Sequence, residues 1–205
     1  AACLRHAQQY YRNTAGRLSA EVGCFKDAMK HVKALHGRVP AADFGPLSLK
    51  AVRQRMIDAK WSRSYINHQI CRVRRIFKWA VENEMVAPSV LHGLQALTPL
   101  KYGRTDARES EPIRPVPDAF VDAVIAKVSP PVAAMIELQR LTGMRSGEVV
   151  VMRRCDIDMT GAAWIYRPAA HKNRWRGDER CVYLGPKAQQ IILRYLKPNI
   201  EAALF

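Results

Sequence analysis

Apolar positions in the first half of the chain recur with the period of an α-helix. A short segment from about Leu4 to Arg12 ends near Asn13. A second runs from about Ser19 to His36 and stops at Gly37. The stretch "VPAADFGPLSLKAVRQRMIDAK" reads as a proline-containing loop followed by a helix from about Leu47. The strongest pattern lies in "WSRSYINHQICRVRRIFKWAVENEMV", with Ser62 or Ser64 as its cap. There Ile66, Ile70, Val73, Phe77 and Ala80 fall on one face of a single helix. Asn67, Cys71, Arg74, Arg75 and Lys78 lie away from that stripe.

The periodicity stops at "TPLKYGRTDARESEPIRPVP", where four prolines, a glycine and mixed charges replace it. This composition predicts a linker. It divides the chain into a helical domain over 1–97, a linker over 98–111 and a second domain over 112–205. In the second domain the pattern predicts helices at about Asp118–Lys127 and Pro131–Leu141, and a short helix after Arg145. Two strands, "GAAWIYRP" and "ERCVYLGP", flank the loop "AAHKNRWRGD", and a helix from about Pro186 to Leu196 follows. The expected class is mainly α with a small antiparallel β-hairpin or sheet.

Composition narrows the function. With 48% apolar and 25% charged residues among 205, the chain has globular rather than disordered proportions. No apolar run reaches the length of a membrane span. The five cysteines are scattered without a CxxC spacing, and His6, His31, His36, His68 and His92 show no ligand spacing. Reduced thiols in the cytoplasm and no metal are the expectation. Charge changes the picture most: 33 Lys and Arg against 18 Asp and Glu give +15. Such a surplus, rich in arginine, points to a nucleic-acid partner. No cationic amphipathic helix with a wide aromatic face favours a membrane. Between positions 53 and 78 lie Arg53, Arg55, Lys60, Arg63, Arg72, Arg74, Arg75 and Lys78, with Asp58 as the sole acid. With Asn67 they form a candidate DNA-backbone surface; a merely solvated helix face is the alternative.

Candidate chemistry sits in "LTGMRSGEV", residues 141–149. This stretch resembles the first active-site signature of the tyrosine recombinase (phage integrase-like) family, close to T-G-hydrophobic-R-x-x-E. The following "MRRCDIDMTGAAWIY" also resembles the family's run into a hairpin, and the order helical part, proline-rich linker, second part matches. The resemblance implies a helical core-binding domain, then the N-terminal part of an α+β catalytic domain. It implies cleavage and rejoining of double-stranded DNA through a phosphotyrosine intermediate, with neither metal nor nucleotide cofactor. It leaves room for a homo-oligomer on DNA.

Carried over residue by residue, Arg145 is the first catalytic arginine, binding phosphate oxygens in two-pronged fashion. Glu148 orients it, and Lys172 in the hairpin donates a proton to the leaving oxygen. Arg174 and Arg176 grip phosphate. A local i,i+3 salt bridge is the plain alternative for Arg145 and Glu148, and a generic basic hairpin that for Lys172. The string "HKNR" matches the family's later H-x-x-R but lies in the hairpin loop, so the assignment is rejected. Tyr166 and Tyr183 are expected to pack in strands and Tyr195 in the last helix, which leaves no assignable nucleophile. A fragment, or a degenerate relative acting as a non-catalytic DNA-binding accessory protein, is therefore expected.

Overall fold

The computed structural model describes residues 2–12, 16–169 and 179–205, and the chain divides into two compact units, Ala1–Ile113 and Arg114–Phe205. Mainly α architecture with a small antiparallel sheet is what the structure shows.

The first unit holds α1 (Ala2–Tyr10), α2 (Ala20–His36), α3 (Pro46–Asp58), α4 (Arg63–Glu82) and α5 (Pro88–Gln95). Prolines open α3 and α5, where the missing N–H costs nothing and φ is already helical. The α4 stripe is buried as the sequence predicts: Ile66, Ile70, Val73 and Phe77 pack with Val32 of α2, Leu49, Val52 and Met56 of α3, and Leu94 of α5. Ala80 is only partly buried. Phe77 stacks on Phe44 with ring centroids 5.1 Å apart. Ser62 is the N-cap residue of α4, but its hydroxyl bonds no helix N–H and lies 3.5 Å from Ser64 Oγ.

The stretch expected as a linker behaves differently. Residues 98–109 are docked on the first unit. The Asn67 amide clamps Leu100, donating to its carbonyl at 3.0 Å and accepting its N–H at 2.9 Å. Arg63 N–H donates to the Arg108 carbonyl at 2.9 Å, and the Arg63 guanidinium pairs with Glu109 at 2.6 Å. Leu97 and Leu100 pack on the core, and Ala107 is buried in it. Three apolar anchors suffice to hold a segment whose prolines and charges otherwise read as free. Residues 110–117 are exposed throughout.

The second unit holds α6 (Asp118–Ile125), α7 (Pro130–Thr142), α8 (Ser146–Val150), β1 (Ile157–Asp158), β2 (Trp164–Tyr166), β3 (Val182–Leu184) and α9 (Pro186–Leu193). The sheet runs β1-β2-β3, antiparallel throughout, with Ile157 opposite Tyr166 and Tyr166 opposite Val182. β1 adds a strand to the predicted hairpin. The core joins Ala134 and Leu138 of α7, Val149 of α8, Tyr166, Val182, Leu184, and Ala188, Ile191 and Ile192 of α9. No residue of α6 is buried, and its acids Asp118 and Asp122 are held by Arg140 of α7 at 3.1 and 2.7 Å.

Candidate functional site

Gly143 ends α7 in the left-handed region at φ +65°, and its N–H donates to the Gln139 carbonyl at 2.8 Å. Nothing lies where a Cβ would go, so glycine is required by conformation and not by space. The reversal sends Met144 into the core and leaves Arg145 as the N-cap residue of α8.

Glu148 stands three residues later and is 3% exposed. Its Oε2 accepts the Arg145 backbone N–H at 2.9 Å, and its Oε1 accepts Arg145 Nη1, also at 2.9 Å. This is one half of a capping box. The other half needs a side-chain acceptor on the N-cap residue, and a guanidinium has none. A second arginine completes the cluster: Arg180 Nε lies 3.4 Å from Oε1 and Arg180 Nη2 3.4 Å from Oε2. Below them the Tyr166 hydroxyl donates to the Glu148 carbonyl at 2.7 Å. Burial pushes the Glu148 carboxyl up, but the Arg145 N–H and the two guanidiniums outweigh it and hold the group below the usual glutamate range. One buried carboxylate therefore anchors two cations, of which the Arg145 side chain is 55% exposed and the Arg180 side chain 35%. The i,i+3 ion pair is present, and the same contact fixes the arginine that faces outward.

The tyrosines separate. Tyr166 is fully buried, and burial followed by the nearby charges of Asp156 and Glu148 drives its pKa up. Its hydroxyl is a strut. Tyr183 does not pack as expected: β3 turns Val182 and Leu184 inward and leaves Tyr183 69% exposed. Tyr195 lies beyond α9 and meets the Phe205 ring at 4.8 Å.

The basic stretch of the first unit is less free than its sequence suggests. Arg53 donates to the Thr98 carbonyl at 2.7 Å. Arg63 serves Glu109, and Arg72 forks onto Glu21 at 3.0 and 2.8 Å. Arg74 donates to the carbonyls of Leu94, at 3.0 Å, and Leu97. Arg75 meets Glu21 at 2.9 Å and the Tyr11 hydroxyl at 2.8 Å, and lies 4.9 Å from the Phe25 ring centre. Asn67 holds Leu100. For Arg63, Arg72 and Arg75 the acidic partners come from outside α4. Arg55 and Lys60 are exposed, and Lys78 makes only a 3.6 Å surface pair with Glu82. Lys172, Arg174 and Arg176 lie outside the described residues. Sequence reasoning missed Arg180, whose only signal was a charge just ahead of the β3 apolar run. Among the described residues no group of His, Cys, Asp or Glu could hold a metal ion, and no helix is long and apolar enough to cross a membrane.

The fold of this chain is shared with solved structures of a DNA integrase. The Tn1549 transposon integrase in complex with circular intermediate DNA matches with a TM-score of 0.63 at 17% identity, over 94% of this chain and 63% of that one. A tyrosine-to-phenylalanine variant of that integrase with transposon right end DNA gives 0.65 at 15% identity, over 94% and 64%. XerA recombinase matches at 16% identity over 100% and 68%, but with a TM-score of 0.34 it carries no argument. No family model matches the sequence, and no curated protein matches it. The resemblance to tyrosine recombinases thus stands at the level of fold, and the chain spans less than two thirds of the integrase's length.

Proposed function

We propose that this chain is part of a site-specific DNA recombinase or integrase, with the first unit as a core-binding domain and the second as the N-terminal part of the catalytic domain. The observation that carries the reading is Arg145: a guanidinium presented at a left-handed helix break, tied to a buried carboxylate, and still more than half exposed. Such a group is set to bind two phosphate oxygens and to stabilise the charge that grows on them during attack. The integrase of like fold is held on DNA, which supports duplex DNA as the ligand here. Arg55, Lys60 and Lys78 are exposed cations of the basic stretch open to the backbone, and Arg75, exposed but engaged by Glu21 and Tyr11, adds its charge. Arg53, Arg63, Arg72, Arg74 and Asn67 are half-buried and tie the elements of the first unit together.

The test is duplex binding by fluorescence anisotropy across salt concentrations. About five phosphate contacts give a slope of log K on log[salt] of roughly −4 to −5. Arg145→Lys keeps the charge but not the fork, and is expected to weaken binding about threefold to tenfold. A flat salt response refutes the reading. Strand transfer itself is read by denaturing-gel trapping on nicked duplex with the protein in its full natural length; a DNA-binding accessory protein leaves no covalent band.

A further inference from the structure

Arg145 meets Glu148 through one guanidinium nitrogen only, Nη1. Among the described residues its Nε and Nη2 make no hydrogen bond, so one edge of the fork remains open for a ligand. This is an unusual outcome for an arginine beside a buried carboxylate, because the two-pronged pairing is the stronger one. The carboxylate is kept from offering both oxygens to the Arg145 guanidinium by its other partners. A carboxylate has about four lone-pair sites, and here each is addressed: Oε1 by Arg145 Nη1 and Arg180 Nε, Oε2 by the Arg145 backbone N–H and Arg180 Nη2. Arg180 spans both oxygens from its own side. The Glu148 backbone is held at its carbonyl by the buried Tyr166 hydroxyl, so any adjustment of the carboxylate is a rotation of the side chain.

We infer that Arg180 is a positioning residue: by occupying one side of the Glu148 carboxylate it keeps Arg145 single-pronged there and leaves the Arg145 fork free for phosphate. The inference rests on the reading of Arg145 as a phosphate-binding group. Without Arg180 the carboxylate, only 4% exposed, loses two of its four donors. It then turns to take Arg145 in two-pronged fashion, draws the guanidinium inward, and uses up the edge that faces the ligand.

Two measurements test this on the whole chain. Without DNA, the Arg145 Nε–Hε resonance is followed by NMR in the native protein and in Arg180→Ala, Arg180→Gln and Arg180→Lys. The Ala and Gln variants are expected to shift that resonance and slow its hydrogen exchange, as the Nε edge becomes engaged; Lys is expected to restore part of the native signal. With duplex DNA, Arg180→Ala is expected to lose about as much affinity as Arg145→Ala, and the double variant no more than either, because coupled residues do not add. Multiplied losses would show Arg180 touching phosphate itself and overturn the inference, as would an unmoved Arg145 resonance. If Arg180→Ala does not fold, Arg180→Gln and Arg180→Lys decide by the same criteria. Failure of the native chain to bind DNA removes the proposed function but leaves the resonance to judge whether Arg180 sets the Arg145 contact.

Discussion

Replacing Glu148 by glutamine isolates what the buried charge does. The amide is close to isosteric and keeps one carbonyl oxygen, which can go on accepting the Arg145 N–H that caps α8. Its NH2 group, however, presents hydrogens to the arginine nitrogens that now donate to the carboxylate. A hydrogen bond to a charged group contributes about 1.5–3 kcal/mol net. The Arg145 contact is short at 2.9 Å, whereas those to Arg180 are long at 3.4 Å. Both guanidiniums can also rehydrate, since their side chains are 55% and 35% exposed. The loss therefore falls below that of a fully buried pair, at about 2 kcal/mol. For a domain of roughly a hundred residues that lowers Tm by about 8–16 °C. Native-state amide exchange measures the effect locally, with β2 and β3 reporting the second unit and α4 serving as internal reference. The pH dependence has a definite sign. Glu148 is held below its unfolded pKa, so its contribution is complete above the unfolded value of about 4.3 and fades as pH falls through the lower folded value. The gap between native protein and Glu148→Gln should be widest near neutrality and close in acid. A change within about 0.5 kcal/mol, the scatter of ordinary surface substitutions, or a gap that widens in acid, refutes this account.

Two further outcomes follow from the geometry. Arg74→Ala should cost about 1–3 kcal/mol in urea unfolding of the first unit, because it strands the Leu94 and Leu97 carbonyls at the end of α5; Arg55→Ala with Lys60→Ala should leave stability unchanged and reduce the salt slope of DNA binding instead. Limited thermolysin digestion should cut first at the Pro112–Ile113 bond, where Ile113 is fully exposed, and spare 98–109; mass spectrometry of the first fragments checks this, and an early cut in the docked stretch refutes it.

Legibility from sequence depended on how far apart the interacting residues lie. The α4 stripe was readable because burial and helical period coincide within one element. The Gly143 break and the Arg145–Glu148 pair were readable because they span only a few residues. The engagement of the basic stretch is not legible in the sequence because its partners are remote: Glu21 lies 51 residues from Arg72, and Glu109 lies 46 from Arg63. Within α4 the charges looked unopposed; in the folded unit they tie α2, α5 and the docked stretch to one helix. The docking of residues 98–109, inside the stretch 98–111 that reads as a linker, is hidden because prolines and charges outnumber the anchors Leu97, Leu100 and Ala107. Arg180, 32 positions from Glu148, becomes its neighbour only through tertiary folding.

The surplus of +15 therefore cannot be read as a count of DNA contacts. An arginine whose fork is filled by carbonyls or carboxylates has already spent the geometry that makes it a good phosphate ligand, although its charge still adds to the long-range field. Arg72 and Arg74 belong to that group. Arg145 differs because its tie uses one nitrogen and its carboxylate is shared. The structure shows the local salt bridge between Arg145 and Glu148. On the proposed reading that salt bridge is also the means of orientation, and what separates a structural arginine from a phosphate-binding one is how much of the guanidinium the protein leaves unused.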